Sequence, residues 1–357
     1  MIRNILLACL LIAFSCKNDE DIPTTRTYRM GFQNSAPRID NLDLFIQSLN
    51  LWTQRADAAI ITTEVPWTEL LAGGSINDHV INNYKVLVDI YHDKKFKLWI
   101  YIDPQNGLDR TSDAVALQEV GKSIGDADMQ LLYQKFVIAM DSILKPDHLG
   151  LALETNLIRD AAPASIYNGV KQAANGAAQA VRARNKTVPL SVSVQADHAW
   201  GKLIGGTYKG IAQDFVDFPF IQEIGISSYA YFGFDKPTDI PTNYYSRLLE
   251  GKNLPSFVTE GGWTSASVTT PDQSFIGSPE LQRDYIAHHS HLLSEVKATA
   301  VFQLLFTDLD LTALPSSVPA SIGYFAYLGL VDINLQPKPG LAIWDDLFKN
   351  KKLISGN

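Results

Sequence analysis

One pattern repeats along the chain from residue 28 onward. A short apolar, β-branched run ends in polar residues, and a stretch with helical spacing follows. Strands that alternate with helices build βαβ units, and such units place their strands parallel. The runs fall at residues 28–32, 58–62, 96–102, 149–153, 190–194, 223–227, 256–259 and 300–306. Helical spacing covers 41–55, with Asp40 as N-cap, then 77–92, 130–144 ahead of Pro146, and an Ala-rich 165–184 closing on basic residues. Another helix opens at Ser278, with Glu280 and Gln282 in its first turn, and the last covers 340–348. Eight such units predict an α/β fold, a single (β/α)8 TIM barrel over residues 28–351. The rival is a doubly wound sheet, but no Gly-rich phosphate loop follows the first run.

The first residues read as a targeting segment outside the fold. Arg3 supplies a positive start, and residues 5–14 are apolar but too short to span a membrane as a stable helix. The segment ends at Ala13-Phe14-Ser15-Cys16, which resembles a bacterial lipoprotein cleavage site. Residues 1–16 are thus expected to be a signal peptide, with Cys16 as the lipidation site; the alternative is a plain signal peptide with an incidental cysteine. Residues 17–27 are expected to be a flexible tether. Their Lys17-Asn18-Asp19-Glu20-Asp21 resembles the surface-export signal of Bacteroidetes lipoproteins, or is a solvated charged stretch. Either reading puts the folded part outside the cytoplasm, and the lipoprotein reading puts it at the outer-membrane surface, touching the membrane through its lipid only. With Cys9 removed and Cys16 lipidated, no free thiol, disulfide or thiolate metal site is left.

The net charge is -8, and no long basic run occurs, which argues against nucleic acid as partner. No serine-nucleophile elbow is present. His288, His289 and His291 lie on a helix without an acidic ligand at zinc-protease spacing, so no metal site is expected.

Two of the apolar runs close on glutamates. Leu149-Gly150-Leu151-Ala152-Leu153 leads to Glu154, and Ser256-Phe257-Val258-Thr259 leads to Glu260. A buried carboxylate is costly unless paired, so two at strand ends ask for a reason. In a barrel, the C-terminal strand ends converge on one mouth. Two carboxyl groups meeting there are the machinery of glycosidic bond cleavage, which needs no cofactor. A surface or salt-bridged carboxylate is the plainer reading of each taken alone.

The segments Leu151-Ala152-Leu153-Glu154-Thr155-Asn156, Ile224-Gly225-Ile226-Ser227-Ser228-Tyr229 and Phe257-Val258-Thr259-Glu260-Gly261-Gly262-Trp263 resemble strands four, six and seven of clan A glycoside hydrolases. They are most similar to family 53, the arabinogalactan endo-β-1,4-galactanases. Leu328-Gly329-Leu330-Val331-Asp332 and Pro337-Lys338-Pro339 look like the close of those barrels. The resemblance implies a retaining hydrolase of an extracellular polysaccharide such as a β-galactan. In it Glu154 is acid/base, Glu260 nucleophile and Tyr229 the nucleophile's support. The family carries Asn directly before the acid/base; Leu153 stands there, and Asn156 follows. Its His-rich strand-three motif is replaced by Asp103-Pro104-Gln105-Asn106, and Gln303-Leu304 stands where strand eight carries an aromatic and acidic pair. These departures keep open a glycan-binding lipoprotein that does not cut. An inverting or non-glycosidic hydrolase is a weaker option.

Further candidates for substrate contact or support follow strand ends: Glu64, Asp103, Asn156, His198, Tyr231 and Gln303. Trp67, Trp200 and Trp263 suit stacking on sugar rings or packing in the core. Asp197-His198 reads as an acid/base pair behind the site or as a solvated loop.

Overall fold

The computed structural model describes residues 22–353 apart from 39, 204, 270–272 and 317. The signal peptide, Cys16 and the acidic run lie outside the described residues.

Eight parallel strands close into a barrel: β1 (Arg29–Gln33), β2 (Ala58–Glu64), β3 (Lys97–Asp103), β4 (His148–Gly150), β5 (Leu190–Gln195), β6 (Glu223–Ser228), β7 (Ser256–Gly261) and β8 (Ala300–Gln303). The sheet closes where β8 pairs with β1. The expected TIM barrel is therefore the fold, and each predicted run lands on a strand. Six helices follow the predicted helical stretches: α1 (Leu42–Trp52), α2 (Val86–Asp93), α3 (Ala127–Leu144), α4 (Ala164–Arg182), α5 (Pro279–Glu295) and α6 (Pro339–Lys349). The N-cap of α1 is Asn41 rather than Asp40. Asn41 accepts from the Leu44 N–H, while Asp40 is turned to Arg38. Between β6 and β7 the described residues form only short 3-10 turns.

The tether ends earlier than expected. Thr25–Arg26 pairs in parallel with Lys351–Lys352, and buried Arg26 bonds Asp57 and the Tyr28 carbonyl. A buried guanidinium so bonded ties this segment to the N-terminal end of the barrel.

The barrel interior is filled, not hollow. Ala58, Ile60, Trp99, Tyr101, Leu153, Phe257, Ala300 and Phe302 form one cluster inside it. Tyr101 needs room from its neighbours: a Cβ at Gly150 would meet its ring at 2.2 Å, and one at Gly225 would meet its hydroxyl at 2.4 Å. Its hydroxyl bonds Ser191 Oγ at 2.7 Å. Toward the N-terminal end, Trp99 stacks on His148 at 3.8 Å, and His148 bonds Glu223. This plug leaves only the C-terminal mouth open.

Candidate active site

Two local irregularities aim the glutamates. After β4 the chain keeps following β5 through Leu151 N–H to Ser191 O and Ser193 N–H to Ala152 O, but it leaves regular strand geometry. Leu153 faces the barrel interior, and Glu154 then adopts φ 49°, ψ 42°, a left-handed turn that opens a helix over Thr155–Ala161. A non-glycine residue in that region is strained by roughly 1–3 kcal/mol and persists only where its surroundings impose it. Here the Ser193 hydroxyl accepts from the Glu154 N–H at 3.0 Å.

The second irregularity lies in β7. Ile226 pairs with Val258, but Ser227 pairs with Glu260, so Thr259 is an extra residue in the ladder. Strand alternation turns Phe257 inward and Val258 outward, and would turn Glu260 outward with it. The bulge resets the phase. Glu260 thereby comes into register with Ser227 and enters the mouth.

The mouth holds a cleft of ≈ 340 Å³. Glu64, Asp103, Arg110, Glu154, Tyr229 and Glu260 supply its polar wall. Leu153, Leu304, Leu305, Leu309, Ile322 and Phe325 supply an apolar floor and opposite wall. A second lobe of ≈ 430 Å³ shares Arg110, Glu154, Tyr229 and Phe325 with the first and adds Phe232, Phe275 and Tyr324.

Arg110 organises the charge. Its Nε donates to Glu154 Oε2 at 2.9 Å, and its other arm donates to Asp103. All three side chains are buried. Ser227 Oγ donates to Glu154 Oε1 at 2.6 Å and stands opposite Glu260 in the strand ladder. Burial, then the charge of Glu154, push the Glu260 carboxyl from its ordinary 4.5 up to about 8. Burial raises Asp103 as well, against the pull of Arg110. Glu64 is raised by burial and pulled back by the Gly107 N–H it accepts at 2.8 Å. Tyr229 lies beside both glutamates, and burial followed by their charges raises its phenol.

Of the candidates read from the sequence, Glu64, Asp103, Glu154, Tyr229 and Glu260 meet in this cleft. The others do not line its two lobes, apart from backbone-anchored neighbours of them. Asn156 is fully buried and clipped to β5, donating to the Gln195 carbonyl at 2.9 Å and accepting its N–H at 2.8 Å. Trp263 packs against Tyr231 and Tyr285 in the core, and Trp67 is buried there too. Trp200 stacks on Tyr244 and donates to its carbonyl. Tyr231 donates to the Tyr324 carbonyl at 2.8 Å, and Gln303 to the Leu328 carbonyl at 2.7 Å. Asp197 and His198 part company. Asp197 accepts from the Tyr229 N–H at 2.8 Å, and His198 bonds Asp160 at 2.8 Å. The hydroxyl bonded to Glu154 is that of Ser227.

Arg110, Ser227 and Ser193 escape sequence reading. Arg110 stands in the long loop after β3, and its only signal is a lone cation between two aspartates, Asp109 and Asp113. Among the described residues no group of three His, Cys, Asp or Glu is placed to hold a metal ion. No described helix is long and apolar enough to cross a membrane.

No protein-family model matches the chain, and no curated protein matches it. Solved structures do. A β-glucosidase from Thermotoga maritima superposes with a TM-score of 0.61 at 13% identity, over 87% of this chain and 86% of that one. GH5_18 from Bifidobacterium longum gives 0.60 at 14% identity, over 92% and 81%. A β-glucuronidase from an uncultured Clostridium sp. gives 0.58 at 14% identity, over 92% and 53%. The likeness is one of fold, a (β/α)8 barrel shared with these glycosidases. The chain spans about half the length of that β-glucuronidase, and these matches single out no one family.

Proposed function

We propose that this protein is a retaining glycoside hydrolase with Glu154 and Glu260 as its catalytic carboxylates. The observation that carries the reading is their convergence, from the ends of β4 and β7, on one cleft, where the charge of Glu154 bears on Glu260. A retaining pair stands about 5–5.5 Å apart, one group attacking the anomeric carbon and the other handling the leaving-group proton. Motif order gives Glu154 the acid/base role and Glu260 the nucleophile role, with a β-galactan as the substrate of the family 53 resemblance. The two lobes give room for more than one sugar ring, and Tyr229, Phe325 and Tyr324 offer aromatic faces to them. The leader ending at Cys16 makes the protein a surface lipoprotein of the outer membrane that meets its polysaccharide outside the cell.

A second reading is a surface glycan-binding protein on the same barrel. Leu153 favours it, since a leucine at the cleft floor offers a sugar hydroxyl no hydrogen bond. A panel of polysaccharides and aryl glycosides, run with wild type, Glu154→Gln and Glu260→Gln, separates the two. Reducing-end release by the wild type that both variants lose supports the hydrolase. Binding in affinity gels with no release supports the glycan-binding protein. Release unchanged in both variants removes the pair from the chemistry.

A further inference from the structure

The two lobes of the cleft differ in which glutamate they meet. The first is lined by both Glu154 and Glu260, whereas the second is lined by Glu154 and not by Glu260. In a retaining cycle the attacking carboxylate faces the anomeric carbon of the sugar that stays on the enzyme. The acid/base stands at the bond being cut, between that sugar and the leaving group. A lobe that touches both carboxylates is therefore the seat of the retained sugar. A neighbouring lobe that touches the acid/base alone receives the leaving group. Arg110, Tyr229 and Phe325 border both lobes and mark the line between them.

The walls of the second lobe define what it takes. Rings from three loops meet there: Phe232 after β6, Phe275 after β7, and Tyr324 and Phe325 after β8. Phe275 sits on a small hairpin, in which Val268–Thr269 pairs antiparallel with Ser274–Phe275. Its ring centroid is 4.9 Å from that of Phe232 and 5.7 Å from that of Tyr324. The loops are tied together behind the rings. Tyr231 donates to the Tyr324 carbonyl at 2.8 Å, and the Ser265 N–H donates to the Tyr327 carbonyl at 2.9 Å. A wall braced in this way has little ordering left to do when a ligand arrives. Thr111, Gln273 and Ser321 add polar side chains to the same lobe. A sugar ring presents an apolar face of C–H groups and an edge of hydroxyls, which suit the rings and the polar side chains respectively. Among the described residues, Arg110 is the only cation that borders either lobe, and its guanidinium is already bonded to Asp103 and Glu154. A uronate would find no free positive charge there.

We propose that the second lobe is the leaving-group subsite, that it takes a neutral sugar unit, and that Phe275 and Phe232 are its specificity-determining residues. The assignment rests on the hydrolase reading of the two glutamates.

The test compares leaving groups. For the linkage that the polysaccharide panel finds cleaved, wild type, Phe275→Leu and Phe232→Leu are assayed on two substrates. One is an oligosaccharide of that linkage, and the other is the glycosyl fluoride of the retained sugar, whose leaving group is a single atom and does not fill the second lobe. Leucine keeps the apolar volume and removes the flat ring, and circular dichroism checks that each variant is folded. The loss of kcat/KM on the oligosaccharide is expected to exceed the loss on the fluoride by about three- to tenfold. Added sugar acceptor is expected to speed turnover of the trapped 2-deoxy-2-fluoro glycosyl-enzyme in wild type more than in either variant, since only the second lobe is then open. Equal losses on the two substrates, or a loss confined to the fluoride, overturn the proposal and leave the hydrolase reading standing. A larger loss on an aryl glycoside than on the oligosaccharide overturns the sugar assignment in favour of an aromatic aglycone. Cleavage before a uronate unit as fast as before its neutral counterpart overturns the neutral one. No cleavage of any polysaccharide or glycosyl fluoride by the wild type sinks the hydrolase reading, and the leaving-group lobe with it.

Discussion

Replacing Arg110 by methionine removes one cation from between two buried carboxylates. In the intact protein the guanidinium bonds Asp103 and Glu154 together, and all three groups are almost fully buried. Breaking a buried pair by deleting one partner costs about 3–5 kcal/mol, because the other charge is left uncompensated. Two carboxylates lose the same partner here, but they face an open cleft that admits water, so the expected cost at pH 7 is at the lower end, about 3 kcal/mol. Unfolding entropy of about 2.1 cal/mol/K per residue over a chain of this length gives roughly 0.7 kcal/mol/K, which converts that loss into a drop in Tm of about 4 °C.

The pH dependence is the sharper test. Burial raises Asp103, and Arg110 is the largest influence opposing it. Without Arg110 the folded-state value rises further above the unfolded one. Stability tied to such a group is fully present below the unfolded value and is lost as pH rises through the folded one. The deficit of Arg110→Met relative to wild type should therefore be small at pH 4 and grow toward pH 8. Urea unfolding followed by tryptophan fluorescence at four pH values measures it. A deficit below about 1 kcal/mol at pH 8, or one that does not change with pH, would refute a charge-compensating Arg110.

Glu260→Gln should be nearly neutral for stability at pH 4 and stabilising by on the order of 2–4 kcal/mol at pH 9 in thermal unfolding, since the wild-type carboxyl must ionise in a buried site as pH passes about 8. For the same reason, kcat/KM on any cleaved substrate should rise as pH rises toward about 8, as the attacking carboxyl loses its proton. Gly150→Ala and Gly225→Ala should each cost about 1–3 kcal/mol, the first by driving a methyl into the Tyr101 ring, the second by driving one into the Tyr101 hydroxyl and into Thr259 Cγ2 at 2.5 Å; Tyr101→Phe should relieve part of the second and none of the first in a double-mutant cycle read by urea unfolding. Asn156→Leu should lower stability by about 2–4 kcal/mol by stranding the Gln195 N–H and carbonyl, and leave KM unchanged where it folds.

The barrel was legible because its signal is distributed. Each strand carries an apolar run and each long helix a stripe, so an error of a residue or two at any boundary leaves the count of eight intact. Ser278, for example, caps α5 as its sequence implies, accepting from the Leu281 N–H. The mouth was legible only in part. A residue that ends a strand, such as Asp103 or Glu64, enters the cleft by topology alone. A residue on the following turn is governed by local hydrogen bonds that no periodicity encodes. Asn156 lies two residues beyond Glu154, yet its amide matches the Gln195 peptide so well that it is lost to the cleft. Trp263 lies three residues beyond Glu260, and its large apolar ring goes to the core between Tyr231 and Tyr285. Arg110 was hidden for the opposite reason: it reaches the glutamate from a separate loop, and only the folded chain brings that loop back over the mouth.

The two glutamates arrive by different distortions, and the difference bears on their chemistry. Glu154 is set by a left-handed turn, a conformation that a side chain tolerates poorly and that its fixed partners, Ser193, Ser227 and Arg110, over-determine. Glu260 is set by a bulge, which re-aims a side chain while leaving the strand paired on both sides. A group clamped by three partners is held in one place and one orientation. A group held mainly by the ladder has burial as the chief influence on its proton. Deleting Thr259 should separate the two effects: removing the extra residue restores strand alternation, turns Glu260 toward the helices and closes the ladder without touching Glu154. The expected outcome is a folded barrel whose high-pH titration is gone and whose activity is lost. Retention of that titration would mean that the bulge is not what brings Glu260 to the mouth.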